Sequence, residues 1–149
     1  MKTTTASAAK AGLEEKLLTI QIEKEFDVLE KRWDARVYIK LYIAARTSGL
    51  LASISDRDWR TLTAIGTFMN EQGQCYPSQA ALARALGVNR ATANRRIQSL
   101  ARFRFQGKPV LLVEHQYKVA KTGRQFATNR YHIMPTANMK IFDRNGETV

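Results

Sequence analysis

The sequence predicts an α+β fold in which a group of helices precedes two β-strands. Two observations support this prediction. Residues 77–100 contain two short segments with apolar residues at helical spacing, separated by a glycine. Residues 110–133 contain two apolar segments separated by a basic loop with a glycine, which is typical of paired strands. With 149 residues, of which 44% are hydrophobic, the chain can form one core and little more.

The first helical segment is predicted to begin at Ser78, because a serine hydroxyl can cap the free N–H groups of a first helical turn. Leu82 and Leu86 are four residues apart, so they share one buried face. Gly87 follows where a helix often ends in a left-handed conformation, which glycine adopts most easily. Val88 then fills the turn.

The second segment is predicted to be a helix that Asn89 caps. Its inner face consists of Ala93, Ile97 and Leu100, which lie at i, i+4 and i+7. Two helices joined by a short turn that contains glycine form a helix-turn-helix. The alternative is an ordinary helical hairpin with a solvated basic face.

The outer face of the second helix carries side chains that pair well with base edges. Arginine binds guanine through two hydrogen bonds, and Asn or Gln binds adenine in the same way. A small alanine on this face would let the helix come close to the floor of a DNA groove. The residues predicted to face DNA are Asn89, Arg90, Ala91, Thr92, Asn94, Arg95 and Gln98.

The net charge of +11 is concentrated in one part of the chain. Residues 78–130 contain eleven Lys or Arg and one acidic residue, whereas residues 1–77 contain eleven basic and ten acidic residues. Such a local excess indicates a polyanionic partner, since a charge that serves solubility alone would be spread evenly. A membrane surface is disfavoured as the partner, because the apolar face of the basic helix is small.

The chain before residue 48 has two parts. Residues 1–12 read as a loose tail rich in Thr, Ala and Ser. Residues 13–47 form an N-terminal extension in which apolar and polar side chains alternate at residues 18–23 and 37–43. This alternation favours a β-hairpin, while a pair of helices that provides a dimer contact stays open.

A further helix is predicted from residue 56 to about residue 71, after a short helical turn and a break at Gly49. Ser55 and Asp58 form the Ser-x-x-Asp pattern of a capping box. Trp59 falls in the apolar stripe of this helix. We therefore expect Trp59 to pack in the core and not to stack on a base.

After the second helix of the pair the chain is basic and aromatic. Phe103 and Phe105 alternate with arginines. They either seal the helix end against the core, which we favour, or form a platform for single-stranded bases. Strands are predicted at residues 110–113 and 129–133, with a basic loop at residues 117–124 that would lie along phosphates or enter the minor groove. The residues predicted to contact the DNA backbone are Ser78, Gln79, Lys118, Lys121 and Arg124.

Four segments carry a resemblance to a known family. They are GQCYPS at 73–78, LARALGV at 82–88, RRIQSL at 95–100 and NRYHI at 129–133. With the order of elements, they make residues 50–133 resemble winged-helix domains of bacterial plasmid and phage proteins, particularly of the replication-initiator type. The resemblance implies that the second helix lies in the major groove and that the loop near Lys121 is the wing. Ala93 departs from the pattern, since a larger aliphatic residue is usual there.

Little in the sequence favours catalysis. His115 and His132 are not spaced as a pair of metal ligands, and no glycine-rich phosphate-binding loop occurs. Cys75 is the single cysteine, which excludes an internal disulfide and indicates an intracellular protein. No run approaches the ~18 apolar residues that a membrane span requires. We expect no enzyme activity, no metal, no cofactor and no membrane partner.

The sequence therefore predicts a winged helix-turn-helix with an N-terminal strand or helical extension. Residues 48–134 would be the DNA-binding domain and residues 135–149 a C-terminal tail. We expect sequence-specific binding of double-stranded DNA in the bacterial cytoplasm, as a plasmid or phage replication or maintenance accessory protein. The alternatives are a transcriptional repressor with the same fold and an RNA or single-strand binding protein. The extension is the candidate surface for a homodimer or for another protein partner.

Overall fold

The structure, a computed structural model, describes residues 16–70, 74–134, 139–144 and 147–148. Its helices are α1 (Ala44–Thr47), α2 (Leu50–Ser53), α3 (Asp56–Gly66), α4 (Gln79–Leu86) and α5 (Arg90–Arg102). Its strands are β1 (Leu18–Asp27), β2 (Arg32–Leu41), β3 (Arg104–Phe105), β4 (Lys108–Pro109), β5 (Leu111–Val119), β6 (Gln125–Ile133), β7 (Met139–Arg144) and β8 (Glu147–Thr148). The predicted tail at residues 1–12 lies outside the described residues.

β1 and β2 form an antiparallel hairpin in which Leu18 pairs with Leu41 and Asp27 pairs with Arg32. The Asp27 carboxylate closes the turn, since its Oδ1 accepts hydrogen bonds from the N–H groups of Leu29 at 2.8 Å and Glu30 at 3.0 Å. Of the two interpretations of this segment, the structure has the hairpin and not the pair of helices. The alternating β-branched and aromatic side chains account for this outcome.

The segment predicted as a C-terminal tail contributes instead to the same sheet. β7 lies parallel to β1, with Leu18 opposite Met139, and the strand order is β2-β1-β7-β8. A parallel neighbour satisfies backbone groups on the edge of β1 that β2 leaves open. Local sequence patterns could not indicate this pairing, because the two strands lie near opposite ends of the chain. Residues 135–138, 145–146 and 149 lie outside the described residues.

α3 begins as predicted, with Ser55 Oγ accepting a hydrogen bond from the N–H of Asp58 at 3.1 Å. It ends at Gly66, short of the predicted end near residue 71. Phe68 and Met69 continue the apolar stripe in tighter turns, where each N–H donates to the carbonyl three residues earlier. The apolar spacing therefore extends beyond the α-helix, which explains the error in the predicted end.

The first hairpin and the helices share one hydrophobic core. Leu18 and Ile20 of β1 are buried in the same cluster as Leu62 and Ile65 of α3. Gly66 permits this close packing, because a Cβ built there would lie 2.8 Å from Ile39 Cδ1. Full burial of each such Leu or Ile side chain contributes roughly 1.5–3 kcal/mol. The hairpin is therefore part of the domain and not a detachable extension.

A second antiparallel hairpin, β5–β6, follows α5 after the short pair β3–β4. Phe105 is buried and Phe103 packs against the core, so the two rings seal the end of α5. The interpretation as a stacking platform for single-stranded bases loses its main support. The N–H of Tyr131 in β6 donates to the carbonyl of Cys75 at 2.8 Å, which ties the hairpin to the segment before α4.

Across the part of the chain that the structure describes, no helix has the length and apolarity to cross a membrane.

Candidate nucleic-acid interface

The turn between α4 and α5 has the geometry that its sequence predicts. Ser78 Oγ caps α4 by accepting from the N–H of Ala81 at 3.0 Å. Gly87 ends the helix with φ +67°, and the N–H of Val88 donates to the carbonyl of Ala83 at 3.0 Å. This pattern of glycine and returning hydrogen bond is a common helix C-terminus. It sets the direction in which the chain enters α5.

α5 begins at the predicted cap, because Asn89 Oδ1 accepts from the N–H of Thr92 at 2.8 Å. The inner stripe of Ala93, Ile97 and Leu100 is buried. Ala93 has no exposed surface, so its small side chain is fully covered where α5 packs on the domain.

Replacing Asn89 by alanine should lower the free energy of unfolding by about 1 kcal/mol, because the first turn of α5 loses its cap. Thermal or urea unfolding followed by circular dichroism measures this change. Asn89→Ser, which keeps an acceptor, should restore most of the loss. An alanine variant as stable as the parent would contradict a capping role for Asn89.

The outer face of α5 is open to solvent. Arg90, Ala91, Arg95 and Gln98 are exposed, as is the capping residue Asn89. Ala91, Arg95 and Gln98 are spaced four and three residues apart, so they form one stripe opposite the buried one. Arginine and glutamine side chains at this spacing can reach along one groove of a duplex.

The remaining predicted residues of α5 are half-buried and already have partners. Asn94 Oδ1 accepts from Nε2 of Gln79 at 3.3 Å, which links α5 to the first turn of α4. Thr92 Oγ1 accepts from Nη2 of Arg95 at 3.1 Å. The structure therefore divides the predicted set into exposed side chains on the outer stripe and half-buried side chains that hold their neighbours, as Thr92 holds Arg95.

A basic groove between α3 and α5 was not predicted from the sequence. The groove has a volume of about 320 Å³ and is lined by Arg57, Asp58, Thr92, Arg95, Arg96 and Ser99. Nη1 of Arg96 is buried and has no hydrogen-bond partner among the described residues. Asp58, predicted as half of a capping box, accepts from Ser99 Oγ at 2.9 Å and so joins α3 to α5.

Arg102 was also missed. It is exposed and lies seven residues after Arg95, which places it on the same stripe of α5. The i+7 spacing was the available signal, but the prediction ended the base-reading face at Gln98. The stripe therefore continues toward the end of the helix.

The turn of the β5–β6 hairpin carries the other predicted cations. Hydrogen bonds of 2.9 Å from Ala120 N to Arg124 O and 2.8 Å from Gly123 N to Ala120 O close it, and Gly123 has φ +78°. Lys121 and Arg124 are exposed at this turn. The predicted loop at residues 117–124 is too long, because β5 continues to Val119. The backbone of Lys118 lies in that strand, and its side chain is outside the described part.

The two histidines considered for catalysis, His115 and His132, lie in the β5–β6 hairpin. Glu114 of β5 is 3.0 Å from Nε2 of His132, and hydrogen bonds from His132 and Gln116 lower the pKa of this carboxyl group. Nδ1 of His115 lies 2.8 Å from Oδ1 of Asn129 across the same hairpin. Within the described ranges, no group of three or more His, Cys, Asp or Glu side chains could hold a metal ion.

Cys75 is buried, and its Sγ donates to the carbonyl of Ile65 at 3.1 Å. Burial raises the pKa of this thiol to about 12. A thiol with so high a pKa carries almost no thiolate at neutral pH, so it is a weak nucleophile.

Comparison with known proteins agrees with the central geometry. Residues 52–105 match a protein family described as a helix-turn-helix domain. The matched segment runs from α2 to β3, so it contains both helices of the turn but not the β5–β6 hairpin. No curated protein and no solved structure matches the chain.

Proposed function

We propose, on the premise that residues 52–105 form a helix-turn-helix domain, that this chain binds double-stranded DNA with sequence specificity. The observation that carries the proposal is the division of α5 into a buried apolar stripe and an exposed stripe of arginine and glutamine. The major groove of DNA is about 12 Å wide and admits an α-helix with its side chains. In this arrangement Arg95 and Gln98 contact base edges.

The proposed wing is the turn of the β5–β6 hairpin. Lys121 and Arg124 are exposed there, and Tyr117 and Val119 near the end of β5 are exposed as well. A cationic turn beside a recognition helix can lie along phosphates or enter the minor groove. The basic groove between α3 and α5 offers a second place for a phosphate, since Arg57 and Arg96 face it.

For the biological role we propose a plasmid or phage replication or maintenance accessory protein that acts in the bacterial cytoplasm. This proposal rests on the resemblance of residues 50–133 to replication-initiator-type winged helices. A transcriptional repressor is the second candidate, because it requires the same bound site and the same fold. In either role the chain acts by binding, with no cofactor and no catalytic step.

Selection of bound duplexes from a random library, followed by titration of the recovered site, tests the proposal. We expect the recovered duplex to bind at least 10³-fold more tightly than unrelated duplex DNA at fixed salt concentration. Single-stranded DNA and RNA of the same sequence should compete weakly. No enrichment of any sequence, or stronger competition by single strands than by duplex, would contradict the proposal.

Removing the charge of Lys121 should weaken binding to cognate and unrelated duplexes to a similar extent, because a wing cation contacts phosphate and not a base. Lys121→Ala should also reduce the slope of log K against log salt concentration by about one unit. Fluorescence anisotropy over a range of salt concentrations measures both effects. Lys24→Ala removes the same charge from the β1–β2 hairpin and should leave the slope unchanged. Equal slopes for the parent and Lys121→Ala would remove the wing from the proposal.

A further inference from the structure

Among the described residues, no strand pairs with the outer edge of β2. β2 is the terminal strand in the order β2-β1-β7-β8 of the described residues. It has 10 residues without Pro or Gly, and its pairing with β1 continues without a bulge. Natural edge strands are commonly blocked by a proline, a bulge or a short length, because a free edge can pair with another chain. β2 has none of these three features.

The backbone groups that point to this edge can be identified. The N–H of Tyr42 donates to the carbonyl of Leu17 at 3.1 Å, so these residues form a hydrogen-bonded pair of the antiparallel ladder. Such pairs alternate along the ladder. The even-numbered residues of β2 therefore bond to β1. The N–H and C=O groups that point outward belong to Trp33, Ala35, Val37, Ile39 and Leu41.

The same five residues form the apolar face of β2, and this face is less covered than that of β1. Leu18 is 1% exposed, while its cross-strand neighbour Leu41 is 49% exposed. Trp33 is 69% exposed at the other end of the strand, where its ring centroid lies 5.2 Å from that of Phe26. The open edge thus combines free backbone groups with exposed apolar side chains.

We propose that β2 pairs antiparallel with β2 of a second copy of this chain, with the two-fold axis at Val37. The two sheets then become one continuous sheet with a self-complementary interface. Trp33 of each copy lies opposite Leu41 of the other, so the two exposed ends of the apolar face cover each other. Ala35 lies opposite Ile39 of the second copy. The proposal does not depend on DNA binding, because β2 lies outside residues 52–105.

The charges on the opposite face of β2 select this alignment. With the axis at Val37, Asp34 faces Lys40 of the second copy and Arg36 faces Tyr38, which allows an ion pair and a cation–π contact. With the axis at Arg36, that residue would face itself and Arg32 would face Lys40, which places like charges together. A two-fold axis at Ala35 would avoid this repulsion, but it would pair only residues 32–38 of each copy. The axis at Val37 pairs residues 33–41, which gives a longer interface.

The test is the mass of the full chain without DNA, measured by light scattering or sedimentation over a concentration series. We expect twice the chain mass of 16.9 kDa. Asp34→Lys should raise the dimer dissociation constant about ten-fold or more, because it creates two like-charge pairs across the interface. Lys40→Asp should do the same. The double variant Asp34→Lys with Lys40→Asp exchanges the charges and should restore the dimer.

Glu25→Lys is the matched control. It makes the same change of charge on the same face of the sheet, but on β1, one strand away from the edge. This variant should stay dimeric, and circular dichroism should show an unchanged fold in all four variants. A monomeric parent would overturn the proposal. A dimer whose dissociation constant is unchanged by Asp34→Lys would also overturn it, as would a double variant that stays monomeric. These outcomes are independent of whether the chain binds DNA.

Discussion

Replacing Leu100 by alanine should lower the free energy of unfolding by about 2–5 kcal/mol. Leu100 is fully buried on the inner stripe of α5, in the same cluster as Leu82 of α4 and Leu62 of α3. Truncation removes apolar contacts on two sides and leaves a cavity that the surrounding helices fill only in part. Urea unfolding at one fixed protein concentration measures the change. Domains of this size are stable by about 5–15 kcal/mol, so the loss is a large fraction of the total.

Gln98→Ala is the control for this measurement, since it lies on the same helix and is exposed. Its effect on stability should stay within about 0.5 kcal/mol. The same substitution removes a proposed base contact, so it should weaken DNA binding without unfolding the chain. A Leu100→Ala variant as stable as Gln98→Ala would mean that α5 does not pack through its inner stripe.

Replacing Arg95 by alanine should cost about 1–3 kcal/mol of binding free energy on the cognate duplex and relax the preference at one base pair. Arg95 is exposed at the centre of the outer stripe, and its Nη2 bond to Thr92 holds the guanidinium beside the helix. The loss on unrelated duplexes should be smaller, because a base contact contributes only where the base matches. Titrations of both duplexes at one salt concentration measure the difference.

Two further variants separate the roles of Arg95. Arg95→Lys keeps the charge but not the two parallel N–H donors, so it should recover affinity for unrelated DNA and not the discrimination. Arg46→Ala removes an exposed cation from α1 and should leave discrimination unchanged. An equal loss on all duplexes for Arg95→Ala would show that Arg95 contacts phosphate alone.

The features predicted well from the sequence are those that neighbouring residues determine. The caps at Ser78 and Asn89, the left-handed Gly87 and the buried stripe of α5 each depend on residues a few positions apart. The exposed outer stripe of α5 was predicted from the same helical spacing of residues. These signals are local, so one sequence is enough to recognise them.

The contacts that were not predicted involve partners that are distant in sequence. The pairing of β7 with β1 joins the two ends of the chain, and the bond between Asp58 and Ser99 joins two helices. For Asp58 the local pattern predicted Ser55 as the partner, whereas its carboxylate accepts a hydrogen bond from Ser99 of another helix. The groove lined by Arg57 and Arg96 was missed for the same reason, because it exists only when α3 and α5 pack together.

The hydrogen bond between Tyr131 and Cys75 has a consequence for the type of duplex that the proposed interface would accept. It ties the base of the β5–β6 hairpin to the segment before α4, so the hairpin is joined at this point to the helix-turn-helix. A recognition helix and a hairpin turn joined in this way would fit only a duplex whose two grooves are spaced to match them. A-form RNA, with its deep and narrow major groove, excludes the helix. Helical geometry would then distinguish the two nucleic acids before any base is read.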